Sequence, residues 1–279
     1  MQYDYLALGH VTADVLDDGS SVPGGSALYG ALQAARLGLR SLIVTAGVPE
    51  EIERMLAPYR EELDVQVVPA PETTRLQTSG MGEERRQRVL GWAGTIETSE
   101  QPSTSILHLA PVARELPATW DGAREFCGLT PQGLVRHWSD PEREIQLGAP
   151  DAQALEHAGS SDALVISSHE RQACTPLLDR ARESGTVIAI TAGERPGTML
   201  LADGSTLATP VAALEAPVED LGAGDVYAAA LFVALAEGRE PYDAAAFAGA
   251  AAAVRMMGAG AGAIGDRDAI ERRLSRRAP

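Results

Sequence analysis

The chain has 279 residues, with 39 acidic against 23 basic side chains and a formal charge of −16 at pH 7. That balance argues against nucleic acid or an anionic membrane as partner, since both call for a basic face, yet it leaves room for a phosphate ligand held by backbone amides. The length suffices for one large α/β core; Cys127 and Cys174 make neither a disulfide framework nor a metal site and suit a reducing cytoplasm.

The first residues pass straight into a strand pattern, so no signal peptide is read. No apolar run approaches the length of a membrane span. All the bases are arginine; lysine and asparagine do not occur.

In chain order, the apolar run Tyr3 to Gly9 predicts a buried strand. Val11 to Val22 is polar and acidic, with Asp14, Asp17 and Asp18, and has room for one small hairpin. Gly24-Gly25 then open an Ala/Leu helix over Ser26 to Leu37, closed by Gly38. Strands are predicted at Leu42 to Ala46 and Val65 to Val68, with a short helix from Pro49 to Tyr59 between them. Thr74 to Thr78 and Arg86 to Leu90 read as a hairpin across Gly80-Met-Gly-Glu. Its arginines Arg85, Arg86 and Arg88 suit a solvated edge, with Arg88 the best placed of them to reach a ligand.

Further strands are predicted at Ser105 to Ala110, Phe126 to Leu129, Ala163 to Ser167 and Thr186 to Ile190. A hairpin joins Met199–Ala202 to Thr206–Ala208 across Asp203-Gly204. Gln132 lies just past a strand end, where open α/β sheets bind ligands. Glu219-Asp-Leu-Gly-Ala-Gly-Asp225 follows, and then eleven uncharged residues, Val226 to Ala236, that predict a fully buried helix. Two more helices, one Ala-rich and one charged, close the chain. Strands alternating with helices imply a mostly parallel sheet with helices on both faces.

The Gly222-Ala223-Gly224 turn at a helix N-terminus offers backbone N–H groups and a positive dipole end to an anion. A carboxylate on the same turn fits phosphoryl transfer, with Asp225 taking the proton of an attacking hydroxyl. Asp is also a common helix cap, and a Gly-rich turn before a helix is common in its own right.

Gly222-Ala-Gly-Asp225 before an apolar helix, together with Asp14 and Pro23-Gly24-Gly25-Ser26, resembles the ribokinase (PfkB) family of carbohydrate and nucleoside kinases over essentially the whole chain. Thr130-Pro-Gln-Gly-Leu-Val-Arg136 and the short lid look closest to its myo-inositol kinase-like branch. The resemblance implies a three-layer αβα ribokinase-like fold, one domain, with lid segments at about residues 11–22 and 72–97. It implies ATP-dependent phosphorylation of a hydroxyl on a small sugar or polyol, with Mg²⁺, in a cytoplasmic monomer or homodimer.

By the same resemblance Asp225 is the base, and Gly222, Ala223 and Gly224 form the anion hole. Asp14, Gly24, Gly25, Tyr29, Arg88 and Gln132 meet the acceptor. Thr191, Gly193, Arg195 and Gly197, with Gly222 and Gly224, meet the nucleotide, and Glu170 holds Mg²⁺ through water. The bland readings stay beside these: a turn aspartate at 14, a turn glutamine at 132, a first-turn acid at 170. The chain departs from the family pattern at Tyr29, Ser167, Pro196 and Leu221, which keeps a ligand-binding protein without turnover as one alternative. A nucleoside kinase is another, although aromatic residues at 4 % leave only Tyr29 and Trp92 nearby to stack on a base.

Overall fold

The computed structural model describes the chain except residues 1, 17–18, 80–85, 140–142, 212–213, 215–216 and 276–279. The strands are β1 (Tyr3–Leu8), β2 (Thr12–Val15), β3 (Ser21–Gly24), β4 (Ser41–Gly47), β5 (Leu63–Pro69), β6 (Arg75–Ser79), β7 (Arg86–Gly91), β8 (Thr104–Leu109), β9 (Phe126–Leu129), β10 (Arg136–His137), β11 (Gln146–Leu147), β12 (Ala163–Ser167), β13 (Val187–Ala192), β14 (Arg195–Leu200) and β15 (Thr206–Ala208). The helices are α1 (Ser26–Arg36), α2 (Pro49–Leu56), α3 (Ala152–Gly159), α4 (Thr175–Glu183), α5 (Ala223–Ala236), α6 (Pro241–Arg255) and α7 (Arg267–Ser275).

Nine strands form one sheet in the order β15-β14-β13-β12-β9-β8-β1-β4-β5. Pairing is parallel from β13 through to β5, and β14 and β15 add an antiparallel edge. The inner strands, such as β1, β4, β8 and β12, are mostly apolar on both faces because both are covered. Along β1, Tyr5 and Ala7 join the core under α1, α5 and α6, while Leu6 and Leu8 face the core that includes α3 and α4. A second sheet, β3-β2-β6-β7, holds the two segments predicted as lid strands. The tip of its β6–β7 connection, and with it Arg85, lies outside the described residues.

The expectation that the strand after β13 begins at Met199 needs correction. β14 starts at Arg195 and pairs with β13 through Ala192↔Arg195, so Gly193-Glu194 is a two-residue hairpin turn. Gly193, at φ 63°, supplies the left-handed backbone that such turns require.

α5 is buried from Val226 to Ala234 without interruption, as its uncharged sequence predicts. It approaches the sheet closely at Gly128 of β9, where an added Cβ would lie 2.3 Å from the Phe232 ring. That ring is fenced by His108 and Phe126, at centroid distances of 5.1 and 6.1 Å, so it has nowhere to retreat. Gly128→Ala is therefore expected to cost about 1–3 kcal/mol as an overpacked core, seen as a lowered urea midpoint with an unchanged slope.

Candidate active site

The parallel strands end on one edge of the sheet; β2, which follows β1, carries Asp14 to it, and the connections leaving β9 and β12 carry Gln132 and Glu170. Such edges are where open α/β sheets bind ligands. The N-termini of α1 and α5 come to the same edge. Gly222 is the N-cap of α5, at φ 76° and ψ 0°, and no side chain caps the helix. Asp225 thus does not tie off the helix end, and its carboxyl is turned to other partners.

Those partners come from α1 and from the turn after β9. The Ser26 hydroxyl bonds the Asp225 carboxyl. Gln132 Nε2 lies 2.5 Å from Ser26 Oγ and donates to Asp225 Oδ1 at 3.4 Å. Asp14 sits against Gly24, where an added Cβ would lie 2.1 Å from Asp14 Oδ2, and it accepts from Thr12 Oγ1 at 2.7 Å. Gly25, at φ 95°, lets α1 start directly beneath His10 O. The expected set Asp14, Gly24, Gly25, Gln132 and Asp225 is therefore brought together.

The electrostatics are those of a half-buried, acid-rich site. Desolvation lifts the Asp225 pKa to about 6; the Ser26 bond and Arg136 oppose the shift, and Glu170 and Asp14 add to it. Burial raises Asp14 as well, against the pull of Thr12 and Arg136. Arg136 is the buried cation here. Its guanidinium donates to Val112 O at 2.9 Å and to Gln87 Oε1 and Gln132 Oε1 at 3.0 Å each. Burial lowers its pKa, while Glu170, Asp225, Glu115 and Asp14 hold it up through space. By orienting the Gln132 amide, Arg136 turns the Nε2 end toward Asp225.

The backbone of the α5 mouth revises the expected anion hole. Ala223 N–H is turned back to Asp220 O at 3.2 Å, so it is not free for a ligand. The N–H groups of Gly222, Gly224 and Asp225 find no acceptor among the described residues, and they form the donor set in its place.

Other expected residues lie elsewhere. Tyr29 is 2 % exposed, and its ring supports Gly222 from beneath, where an added Cβ would lie 2.4 Å from it. It thus backs the turn and is not the acceptor contact expected of it. Arg88 is exposed on β7 and faces Glu144 across an isolated bridge. Strand alternation puts its neighbour Gln87 inside instead. Gly197 is buried within β14, where a Cβ would strike Ile190 O at 2.4 Å, so it serves strand packing and not a phosphate turn. Arg195 is exposed beside the Gly193 turn. Thr191, at the end of β13, spends its hydroxyl on Ile166 O at 3.2 Å.

Glu170 is held by its own loop. Ser167 N and Ser167 Oγ donate to its Oε2 at 3.0 and 2.9 Å. It precedes α4 by a full turn of chain, so the first-turn reading does not apply. Trp92 donates to Ala113 O at 2.7 Å and packs edge-on with Trp138. Both line a cavity of about 460 Å³ that shares no side chain with the Asp225 cluster.

Sequence reasoning missed Ser26, Gln87, Arg136 and the buried Glu115. The last accepts from His10, Val112 and Ala113 N–H at 2.9, 2.8 and 2.6 Å and so pins the loop after β8 to the end of β1. Of these, only Gln87 had a readable signal, the in–out alternation that a buried Val89 fixes.

No family model matches the chain, and no curated protein matches it in sequence. Solved structures do match it in shape. One is a pyrophosphate-dependent kinase in the ribokinase family complexed with a pyrophosphate analog and myo-inositol, at TM-score 0.78 and 19 % identity over 96 % of this chain and 99 % of that one. A second is Arabidopsis thaliana ribokinase complexed with ribose and ATP, at TM-score 0.72 and 15 % identity over 99 % and 100 %. A third is Vibrio cholerae fructokinase in a fructose-, ADP- and calcium-bound form, at TM-score 0.73 and 17 % identity over 98 % and 100 %. The chain has the ribokinase-like fold. In ribokinase-like terms, the cleft just described lies on the C-terminal edge of the central sheet, between the α1 and α5 mouths.

The raised Asp225 pKa carries a stability cost with a definite sign. A carboxyl whose folded pKa exceeds its unfolded value binds its proton more tightly when folded, so stability falls as pH rises from about 4 to about 6. Asp225→Asn keeps the acceptor for Gln132 and removes the charge. It is expected to raise stability at pH 7.5 by about 1–3 kcal/mol and to leave it unchanged near pH 3.5, as chemical denaturation at the two pH values would show.

Proposed function

We propose that the protein transfers the terminal phosphoryl group of ATP to a hydroxyl of a small sugar or polyol of inositol type. Asp225 acts as the base of this transfer. The reading is carried by one observation: a carboxyl that does not cap its helix, its pKa pushed up to about 6 by desolvation, stands on the same helix mouth as N–H groups that have no acceptor among the described residues. A base poised near the working pH and a preformed donor set are what in-line transfer to an alcohol requires.

In this reading Asp14 and the Gly24-Gly25 backbone orient the acceptor, and Gln132 accompanies them. The acceptor hydroxyl loses its proton to Asp225 as it attacks phosphorus. The N–H groups of Gly222, Gly224 and Asp225 receive the charge that spreads over the equatorial oxygens. The β3-β2-β6-β7 sheet is the lid of a single kinase domain and presents Gln87 to Arg136, which reaches the same space from β10. Gly193 and Arg195 flank the nucleotide.

Among the described residues no group of three His, Cys, Asp or Glu forms a metal cage. Mg²⁺ carried on donor phosphates needs only one or two carboxylates, and Glu170, with Oε2 already anchored by Ser167, fits that part through water. When bound, Mg²⁺ neutralises phosphate charge during the transfer.

Pyrophosphate is the second donor to try, because one structure of this fold is of a pyrophosphate-dependent kinase. Each donor is to be offered with a panel of myo-inositol, aldoses, ketoses and nucleosides, to wild type and to Asp225→Asn. Turnover of a polyol or sugar that falls about 10²–10⁴-fold in the variant is the expected result. Ligand binding without turnover in wild type, unchanged by the substitution, would point to a binding protein instead. Arg136 lowers the Asp225 pKa, so Arg136→Met is expected to move the acid limb of the kcat/KM profile to higher pH.

A further inference from the structure

Behind the Gly222 turn stands a cation that the transfer step itself does not use. Arg255 ends α6 and is fully buried. Its Nη2 donates to Glu219 Oε2 and to Leu221 O, at 2.7 Å each, and its Nη1 donates to Gly258 O at 2.9 Å. Glu219 Oε2 accepts from Gly260 N at 2.7 Å as well. The guanidinium carbon lies 5.5 Å from the centre of the Tyr29 ring, the ring on which Gly222 rests. Burying a guanidinium is costly unless its hydrogen bonds are met, and an apolar side chain would fill this volume without that cost.

What the arginine gives is control over one peptide plane. A trans peptide is planar, and its C=O and N–H point in opposite directions. Drawing Leu221 O toward Arg255 therefore aims the Gly222 N–H away from it. The turn bond from Ala223 N–H to Asp220 O, with Gly222 left-handed at position i+2, selects this plane locally, and among the described residues Arg255 is the side chain that bonds it. The adjacent Ala223 N–H is held by Asp220 O, whereas the Gly222 N–H meets no acceptor among the described residues.

We infer that Arg255 is a positioning residue that locks the Leu221–Gly222 peptide so that the Gly222 N–H faces the donor phosphoryl group. The inference rests on the phosphoryl-transfer reading of the cleft. A planar fork of donors is needed, because two carbonyls and a carboxylate must be met at once, and lysine cannot match that fork.

The test is Arg255→Ala with chemical rescue. Loss of one preorganised donor is expected to lower kcat about 10²-fold with little change in acceptor KM. Millimolar guanidinium should recover about tenfold of that loss, and ammonium at the same concentration should not. Affinity for a non-hydrolysable ATP analogue, measured by calorimetry, should fall about tenfold and recover in the same way. This second measurement separates the two ideas: a wild type that binds the analogue but transfers nothing refutes the proposed reaction, while the Arg255 effect on affinity still decides the inference. Should Arg255→Ala fail to fold, Arg255→Lys keeps the charge without the fork, and the same losses are expected. Wild-type kcat and affinity in either folded variant, or a loss that guanidinium leaves untouched in folded Arg255→Ala, would overturn the inference.

Discussion

Two helices enter the core with their N-termini at one place, and the cleft follows from that meeting. α1 and α5 are each preceded by a glycine of positive φ, Gly25 at 95° and Gly222 at 76°. Neither position could carry a side chain. A Cβ at Gly25 would lie 2.3 Å from His10 O, and one at Gly222 would strike the Tyr29 ring, itself part of α1. The glycines thus set how closely the first turn of α5 settles onto α1. Their contact brings two positive dipole ends and several uncommitted N–H groups to one point. Ser26, Asp14 on its Gly24 seat, and Asp225 are then within reach of one another without any further device.

An acidic chain must keep such a place from becoming a bare cluster of carboxylates. Each acid here is settled differently. Glu115 is consumed by three backbone N–H groups and Glu170 by its own Ser167. Asp14 and Asp225 are left to titrate above their ordinary range, because burial outweighs the bonds that favour the charged form. Arg136 acts on all four through space. Its direct bonds go to two amides and a carbonyl, so it tempers the field without quenching either aspartate. A carboxyl kept basic in this way is useful to chemistry and unfavourable to folding at neutral pH, which is the usual sign of a site tuned for reaction.

Much of this was legible in the sequence, for reasons particular to each element. β1, α1 and α5 announce themselves because residues 5–8, 26–34 and 226–234 are uncharged runs buried without interruption. Gly222, Gly224 and Asp225 are readable because the turn chemistry is local. The failures share a cause: they depend on which strand or helix comes to lie alongside. That Gly193-Glu194 closes a hairpin follows only from the pairing of β14 with β13. Tyr29 could have faced a ligand or supported a turn, and only the α5 approach decides. Arg88 and Gln87 differ by one step of strand pleat. Arg136 and Arg255 reach across the fold on long side chains, and no spacing along the chain predicts what they touch.

The same geometry bears on whether the altered positions of the motif imply lost activity. At 167, one of the positions that depart from the family pattern, Ser167 holds Glu170 by its N–H and its hydroxyl together. At 221 the contact made by Leu221 is its carbonyl oxygen, to Arg255, a bond indifferent to side-chain identity. Glu219 pairs with Arg255, so an acid three residues before Gly222 has a partner that explains it. Tyr29 fills the space beneath a glycine that needs a flat neighbour. The departures at 29, 167 and 221 thus fall where a backbone atom or a new partner takes over a structural task, and they leave the Asp225 carboxyl and the open N–H groups beside it in place. A chain without asparagine or lysine has had to rebuild the supports of this cleft, and the rebuilding has left the groups that would carry the chemistry in place.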